Sequence, residues 1–219
     1  MRLRLDGESG NMVRRGYLFA AGAAGLAVLL ATAAALAQTA VGPSFTADGK
    51  LNPPTDYRTW IYLSTGFDMS YAEGAPGAAH NFDNVFVDPA SYAAFQATGA
   101  WPDKTEMVLE VRGAGDHTPV NKNGHYQLPA VAGMEVHVKD TARFAANGGW
   151  AFFGFGRAGG PSTMTPASAA CYSCHRDHAA VDTTFVQFYP TLMPVAEARK
   201  TLSAAYVAEV AAAAAAAAK

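Results

Sequence analysis

The sequence predicts an α+β fold that consists mainly of an antiparallel β-sheet with short helices. Apolar and polar residues alternate with a period of two, most clearly at residues 104–112 and 134–140, as in strands whose two faces differ. The connections between such segments are too short for the helical crossovers that parallel strands need. With 219 residues, of which 50% are hydrophobic, the chain can bury the core of one domain.

The first 37 residues differ in composition from the rest and indicate an export signal. Basic residues precede an apolar run over residues 17–37, which ends in the small-x-small sequence Ala35-Leu36-Ala37. These are the parts of a signal peptide. We therefore expect a signal peptide over residues 1–37, cleavage after Ala37 and a periplasmic location. A membrane-anchored form is the alternative, because about 20 apolar residues can span a bilayer.

The residues after the signal predict a linker, two strands and a short helix. Residues 38–56, rich in Gly, Pro and Thr, predict a linker into a domain over residues 57–195. Aromatic and β-branched residues predict strands at 57–63 and 82–88. Pro89 and Gly99 are placed to begin and end a short helix between them.

The second half of the domain contains the clearest strand patterns. In residues 104–112, apolar and charged side chains fall on opposite faces; the apolar ones are Met107, Leu109 and Val111, and the charged ones are Glu106, Glu110 and Arg112. A hairpin or loop is expected over residues 113–124. The continuous aromatic run at 148–156 predicts a central strand covered on both faces. Residues 196–219, rich in alanine, predict a C-terminal helix or tail.

The charge of the chain argues against binding to nucleic acid. The formal net charge is −2 for the whole chain. Without residues 1–37, which hold four basic and two acidic residues, 12 basic and 16 acidic residues remain. No cluster of Lys or Arg is present, so neither nucleic acid nor an acidic membrane surface is an expected partner.

The two cysteines of the chain lie in one motif, Cys171-Tyr172-Ser173-Cys174-His175. CxxCH is the attachment motif of c-type haem: both thiols bond to the haem and the adjacent histidine binds the iron. The sequence therefore predicts one covalently attached haem c, with Cys171, Cys174 and His175 as cofactor-binding residues and His175 as the metal ligand. No catalytic residue is assigned.

Two other uses of the cysteines are compatible with the sequence. A structural or redox-active disulfide explains the thiols but leaves His175 without a role. A zinc site could add His175 or His178, although ligands within eight residues are crowded for zinc. Covalent haem accounts for both cysteines, the histidine and the export signal together.

A family resemblance rests on the order of several segments. "FDNVFVDPASYAAFQATGAWPDKTEMVLEVR", "MEVHVKD", "GGWAFFGFG" and "CYSCHRDHAAVDTTFVQFYPTL" follow one another, and in this order the chain resembles the cytochrome P-460 family, which includes cytochrome c prime-beta. The resemblance covers roughly residues 57–192. It implies a homodimer of mainly antiparallel β structure with one high-spin haem, ligated by histidine and open on its distal side.

The resemblance also offers two activities. One branch of the family oxidises hydroxylamine and has a lysine bonded to the haem, which in this chain would lie at or near Leu109; Lys104 lies at the start of the strand. Active members also use a carboxylate just before the CxxCH, whereas residues 141–176 contain neither Asp nor Glu. We therefore expect a five-coordinate haem that binds nitric oxide or a related small nitrogen species. The alternatives are an oxidoreductase that passes electrons to another cytochrome and a six-coordinate electron carrier.

Other residues of interest have simpler interpretations. Met193 follows the CxxCH too closely to wrap easily around the haem, so it is expected to pack in the core or at the surface, as are Met69 and Met164. Arg157 and Arg176 are candidates for pairing with haem propionates, and His178 for lying beside one. The other histidines, His80, His117, His125 and His137, are expected at the surface or in hydrogen bonds. His137 is predicted to face away from the apolar side of its strand.

Overall fold

The computed structural model describes residues 42–70, 79–157 and 159–218. In this part of the chain five strands form one antiparallel sheet in the order β1-β2-β3-β4-β5. The strands are β1 (Ile61–Phe67), β2 (Asn81–Val87), β3 (Glu106–Asp116), β4 (His125–Lys139) and β5 (Trp150–Gly154). The prediction of an α+β fold based on an antiparallel sheet is confirmed.

Four α-helices and three short 3-10 helices complete the described structure. The α-helices are α1 (Pro89–Thr98), α2 (Ala170–His178), α3 (Met193–Arg199) and α4 (Ala204–Ala217). The 3-10 helices are Tyr57–Thr59, Ala145–Asn147 and Val186–Phe188. None of the helices described is long and apolar enough to cross a membrane. The predicted signal peptide, residues 1–37, and the start of the predicted linker lie outside the described residues.

Helix α1 begins and ends where its sequence predicts. The Asp88 carboxylate accepts a hydrogen bond of 2.8 Å from the Ser91 backbone N–H, which satisfies one of the free amides of the first turn. Pro89 occupies the first turn, where its missing N–H is not needed. Gly99 ends the helix with φ of 76°, and its N–H donates to the Phe95 carbonyl at 2.7 Å.

The sheet has two buried faces, which we call the cavity face and the back face. Met107, Leu109 and Val111 of β3 lie on the cavity face, and Glu106, Val108, Glu110 and Arg112 lie on the back face. The core on the cavity side includes Val87, Phe95, Trp101, Trp150, Val186 and Leu192. The core on the back includes Leu51, Tyr57, Val108, Val136, Val138 and Phe153. Each face thus has its own apolar layer.

The described part of the predicted linker, residues 42–56, is packed against the domain. Leu51 is fully buried in the back-face core. Its backbone forms bridges with Phe45 and Ser162, with N–H to carbonyl distances of 2.9 and 2.8 Å between Leu51 and Ser162. The composition predicts a linker in this segment, and its apolar residue Leu51 is covered by the back face.

Three strand predictions need correction. Residues 57–59 form a 3-10 helix, and β1 begins only at Ile61. Strand β3 extends to Asp116, into the loop predicted at 113–124, and β4 begins at His125, well before the strand pattern at 134–140. Residues 125–130 are exposed and show no alternating burial that a sequence pattern could reveal. Strand β5 lies at the sheet edge, although Trp150 and Phe153 are buried. Its outer edge is covered instead by the backbone of Thr165, whose N–H donates to Phe152 at 2.8 Å.

Candidate functional site

A cavity of about 490 Å³ lies against the cavity face of the sheet, within the range of roughly 300–1,000 Å³ that is usual for ligand pockets. Its sheet wall includes the aliphatic side chains of Val85, Leu109 and Val111. Helix α2 contributes Cys171 and His175 to the opposite part of the lining, so the CxxCH motif borders the cavity. The site therefore combines an apolar wall with the chemical groups that the sequence singled out.

Helix α2 brings the CxxCH side chains together. Residues three and four apart lie on one face of a helix, which places Cys171 beside Cys174 and His175. Both cysteines are free thiols and are partly buried. Burial raises the pKa of Cys174, which keeps it in the thiol form at neutral pH. Within the described residues, no group of three or more His, Cys, Asp or Glu side chains could hold a metal ion, so the zinc alternative has no geometric support there.

His175 is held in the orientation that a metal ligand needs. Its Nδ1–H donates to the Thr183 carbonyl oxygen at 2.7 Å, which leaves Nε2 for a metal. The rings of Phe152 and Phe185 lie 4.6 and 4.3 Å from the imidazole, measured between centroids. Burial lowers the pKa of His175, opposed by the hydrogen bond to Thr183. The imidazole is therefore neutral at neutral pH, the form that binds metals.

Two carboxylates that sequence reasoning missed also line the cavity. Asp83 comes from β2 and Glu135 from β4. Burial raises the pKa of Asp83, and the negative charges of Glu135 and Asp68 raise it further. No Lys or Arg is among the cavity-lining residues that the structure describes. The carboxylate expected between residues 141 and 176 is absent from the sequence, but neighbouring strands provide carboxylates to the same cavity.

The alternation of side chains along β2 and β4 sets these two carboxylates apart in the sequence. In β2, Asp83 shares a face with Val85 and Val87, so it interrupts an apolar stripe. In β4, Glu135 and His137 form a polar stripe opposite Met134, Val136 and Val138. Such a stripe usually faces water, and only the pairing with β3 shows that it borders the cavity.

The two positions considered for a haem-bonded lysine differ clearly. Leu109 lines the cavity and pairs with Val85 on one side and Glu135 on the other. Lys104 is not among the lining residues, and its Nζ lies 2.6 Å from an oxygen of Asp140. The hydrogen bond to Asp140 raises the pKa of Lys104, so this amine is charged and paired. The structure therefore gives no support for a haem bond from Lys104.

His137 was predicted to be at the surface or in a hydrogen bond, and it is buried beside the CxxCH motif. Its exposed fraction is 9%, and it lines the cavity. Its ring is stacked on Phe152 with centroids 4.0 Å apart, and it meets the His175 ring edge-on at 5.4 Å. Burial lowers the pKa of His137 well below its usual value, and the neighbouring His175 adds to the shift. His137 faces away from Val136 and Val138, as predicted, and its Nε2 shares a hydrogen bond of 3.3 Å with the Thr183 hydroxyl. The face opposite the valines is covered by residues of β5 and α2.

The three methionines occupy different environments. Met193 begins α3 and packs against the core on the cavity side, but it does not line the cavity. Met69 lines the cavity and is 42% exposed. Met164 is 38% exposed, and its sulfur lies 3.9 Å from the Asn147 amide nitrogen. Met193 therefore lacks the position of an axial ligand.

The three residues considered as neighbours of the haem propionates, His178, Arg176 and Arg157, form surface contacts. His178 is 3.0 Å from a carboxylate oxygen of Glu209 on α4. Arg176 pairs with Asp177 at 2.7 Å, so it is already engaged. The Arg157 side chain donates to the Ala132 carbonyl at 3.4 Å.

The other three histidines lie away from α2. His80 Nδ1 is 2.5 Å from Asp68 Oδ2. His125 is stacked on Phe67 with centroids 5.1 Å apart. His117 pairs with its neighbour Asp116 at 3.0 Å.

The fold and the site define the class of protein. An antiparallel sheet encloses an apolar cavity together with a helix that carries two free thiols and a neutral histidine with one nitrogen available, and this donor set fits a haem. A family model described as Cytochrome P460 matches residues 54–186, more than half of the chain. The chain belongs to the cytochrome P460 family, and this membership implies a haem cofactor. A search of curated proteins finds no match.

Proposed function

We propose that the protein is a periplasmic c-type haem protein in which His175 is the iron ligand and the second axial position is open to nitric oxide or a related small nitrogen species. The observation that carries this proposal is the hydrogen bond of 2.7 Å from His175 Nδ1 to the Thr183 carbonyl, at the wall of the apolar cavity. That bond fixes the tautomer in which Nε2 can bind iron.

Cys171 and Cys174 would hold the haem through thioether bonds, and His175 would be its axial ligand. When bound, the haem supplies an iron centre that binds small ligands. The aliphatic side chains of Val85, Leu109 and Val111 give the sheet side of the cavity an apolar surface, which would favour neutral ligands over anions. His175 is kept in one orientation by Phe152 and Phe185.

The location and assembly are parts of the same proposal. A basic segment followed by an apolar run at the N-terminus supports export to the periplasm, where haem attachment to a CxxCH motif takes place. A homodimer is proposed from the family resemblance. Two aromatic side chains on the outer strand β1 support a dimer, since Tyr62 is 54% exposed and Phe67 is 41% exposed. Aromatic residues that are exposed in a single chain are typical of interfaces between chains.

A second function, oxidation of hydroxylamine or nitric oxide with electrons passed to another cytochrome, is favoured by the cavity carboxylates. Asp83 has a raised pKa and lines the cavity with Glu135. A carboxylate in this position can accept a proton from a bound substrate, and its efficiency increases as its pKa approaches the working pH. Residues 141–176 contain no carboxylate that could act as the base of an oxidase. Asp83 and Glu135, from other strands, can take that role at the same cavity.

The test is an absorption spectrum of the haem-loaded protein, ferric and dithionite-reduced, before and after addition of nitric oxide. We expect a high-spin spectrum that changes on addition of nitric oxide, and a protein mass that includes one covalent haem. The variant His175→Ala should lose the axial signature while it keeps the haem mass. Sharp low-spin bands that do not respond to nitric oxide would contradict the proposal and favour an electron carrier.

The enzymatic alternative has its own test. Hydroxylamine is mixed with the loaded protein and an artificial electron acceptor, and reduction of the acceptor is followed. An oxidase should show turnover that decreases strongly in Asp83→Asn and persists in Asp48→Asn, an exposed aspartate far from the cavity lining. No turnover in the unmodified protein would exclude this alternative under those conditions and leave ligand binding.

A further inference from the structure

One residue, Thr183, connects the side chains of His175 and His137. Its backbone carbonyl accepts the hydrogen bond from His175 Nδ1–H at 2.7 Å. Its hydroxyl shares a hydrogen bond with His137 Nε2 at 3.3 Å. The two imidazole rings are in edge-on contact, with centroids 5.4 Å apart. The two histidines are therefore linked both through Thr183 and directly.

The two ends of this connection lie in different kinds of structure, a paired strand and a turn. His137 lies in the regular part of β4, where it pairs with Met107 of β3 and Phe152 of β5. Its ring is stacked on Phe152 at 4.0 Å and tilted against Trp150 at 4.4 Å, measured between centroids. Thr183 lies in the turn that follows α2, closed by a bridge between Val181 and Thr184. The sheet can thus fix the position of the turn through the Thr183 hydroxyl.

The residue type at position 137 is not the one that packing alone would select. The site is 9% exposed, and aromatic rings cover the imidazole. An apolar ring would fill such a place without the penalty of burying polar nitrogens. The hydrogen bond to Thr183 is the contact that an apolar ring would lack.

We infer that His137 is a positioning residue for the axial histidine: through the Thr183 hydroxyl it holds the Thr183 carbonyl in place and so maintains the hydrogen bond to His175 Nδ1. This inference rests on the proposed role of His175 as iron ligand. Hydrogen bonds to the outer nitrogen of a ligating histidine fix its orientation and increase its basicity. A more basic axial ligand stabilises the oxidised iron, so His137 lowers the reduction potential and strengthens the iron–histidine bond.

Four variants separate the hydrogen bond from the ring. His137→Phe keeps an aromatic ring between Phe152 and Trp150 but has no polar atom, and Thr183→Val keeps the branched shape but lacks the hydroxyl. His137→Gln and Thr183→Ser each retain a group that can form the bond. The measurements are the iron–histidine stretching band of the reduced protein by resonance Raman spectroscopy and the midpoint potential of the haem.

We expect His137→Phe and Thr183→Val to shift the stretching band to lower frequency and the midpoint potential upward. His137→Gln and Thr183→Ser should remain closer to the unmodified protein. Because both changes remove the same bond, the double variant His137→Phe/Thr183→Val should shift no further than the larger single variant.

Unchanged band position and potential in both His137→Phe and Thr183→Val would overturn the inference. Equal shifts in all four variants would also overturn it, because they would indicate a packing role that does not depend on the hydrogen bond. Failure of the proposed function is visible separately: the unmodified haem protein would then lack an iron–histidine band altogether.

Discussion

The two faces of the sheet place carboxylates in different surroundings. On the back face, Glu110 is 2% exposed as a side chain and accepts hydrogen bonds from Tyr57 and Arg112, with Arg58 at 2.6 Å. Burial raises the pKa of Glu110, but these hydrogen bonds and charges outweigh it and hold the pKa below its usual value. On the cavity face, Asp83 lies near Glu135 and has a raised pKa.

The difference indicates what each face does. A buried charge with partners contributes to a unique fold, whereas a buried charge without them destabilises it. Glu110 connects β3 to the segment that contains Tyr57 and Arg58, so its ion pairs attach that segment to the sheet. Uncompensated carboxylates at a cavity reduce stability and are typical of sites that bind or react.

The largest expected effect is the loss of charge compensation on the back face. Arg112 is 10% exposed as a side chain, and besides Glu110 it donates to the carbonyls of Leu128 and Pro129 at 3.0 and 2.6 Å. Arg112→Met should lower the free energy of unfolding by about 3–5 kcal/mol, because the Glu110 charge loses a buried partner. Urea denaturation at neutral pH measures this change.

Two further variants test the cause of that loss. Arg199→Met, at an exposed arginine, should change the free energy of unfolding by less than about 0.5 kcal/mol. Adding Glu110→Gln to Arg112→Met should recover part of the stability, since it removes the charge that has lost its buried partner and keeps only the exposed Arg58 beside it. A double variant less stable than Arg112→Met would show that the ion pair is not the source of the effect.

Glu106 is the exception on the back face, and it provides the second prediction. It is 5% exposed, and burial, together with the charges of Asp88 and Asp56, raises its pKa from 4.5 to about 8. Between these two values the folded protein keeps a proton that the unfolded chain releases, so the stability that is present below pH 4.5 is lost as the pH rises. The slope is up to about 1.4 kcal/mol per pH unit, roughly 2 kcal/mol from pH 6 to 7.5.

Glu106→Gln should remove most of this pH dependence and stabilise the protein at pH 7.5. Glu110→Gln is the matched control on the same strand and face, and it should destabilise, because it removes the charge that pairs with Arg58 and Arg112 and replaces one accepting oxygen by an NH2 group. The measurement is the urea midpoint of each variant at pH 6 and 7.5. Stabilisation by both substitutions would contradict the distinction between compensated and uncompensated carboxylates.

Strand β3 shows how far the sequence could predict this arrangement. The alternation of Met107 and Leu109 with Glu106 and Glu110 correctly divides the two faces. It does not reveal that the segment around Tyr57 covers the charged face. Polarity alone does not reveal a buried ion-pair network, since the partners come from distant parts of the chain.

The candidate site was predictable to a similar extent. The spacing of Cys171, Cys174 and His175 is local, so one helix suffices to bring them together. Asp83 and Glu135 meet at the cavity only through the registers of β2, β3 and β4. A shift of one residue would turn either side chain to the other face, and strand register cannot be read from one strand at a time.

The third prediction compares valines on the two faces of β3. Val108 is fully buried in the back-face core, whereas Val111 lines the cavity. Val108→Ala should cost roughly 1.5 kcal/mol of unfolding free energy, the equivalent of two buried methylene groups. Val111→Ala should cost less than half of that and should change the rate of nitric oxide binding to the loaded protein. If Val108→Ala and Val111→Ala lost the same stability and bound nitric oxide at the same rate, the back face and the cavity face of β3 would not differ in packing.

The smallest expected effect concerns Asp83 itself. Because its pKa in the folded protein is raised, its contribution to stability is present below the unfolded pKa of 3.8 and decreases as the pH rises through the folded pKa. Asp83→Asn should therefore stabilise the protein at neutral pH, by less than Glu106→Gln does, since Asp83 is only partly buried. Thermal unfolding at pH 5 and 7.5 measures the gain, which should be larger at pH 7.5.

Asp48→Asn is the control, because the charge of this exposed residue is compensated by Lys50 at 2.8 Å. A loss of stability in Asp83→Asn would mean that the cavity carboxylate has a partner as effective as those of Glu110, and the two faces would then differ in shape but not in charge compensation.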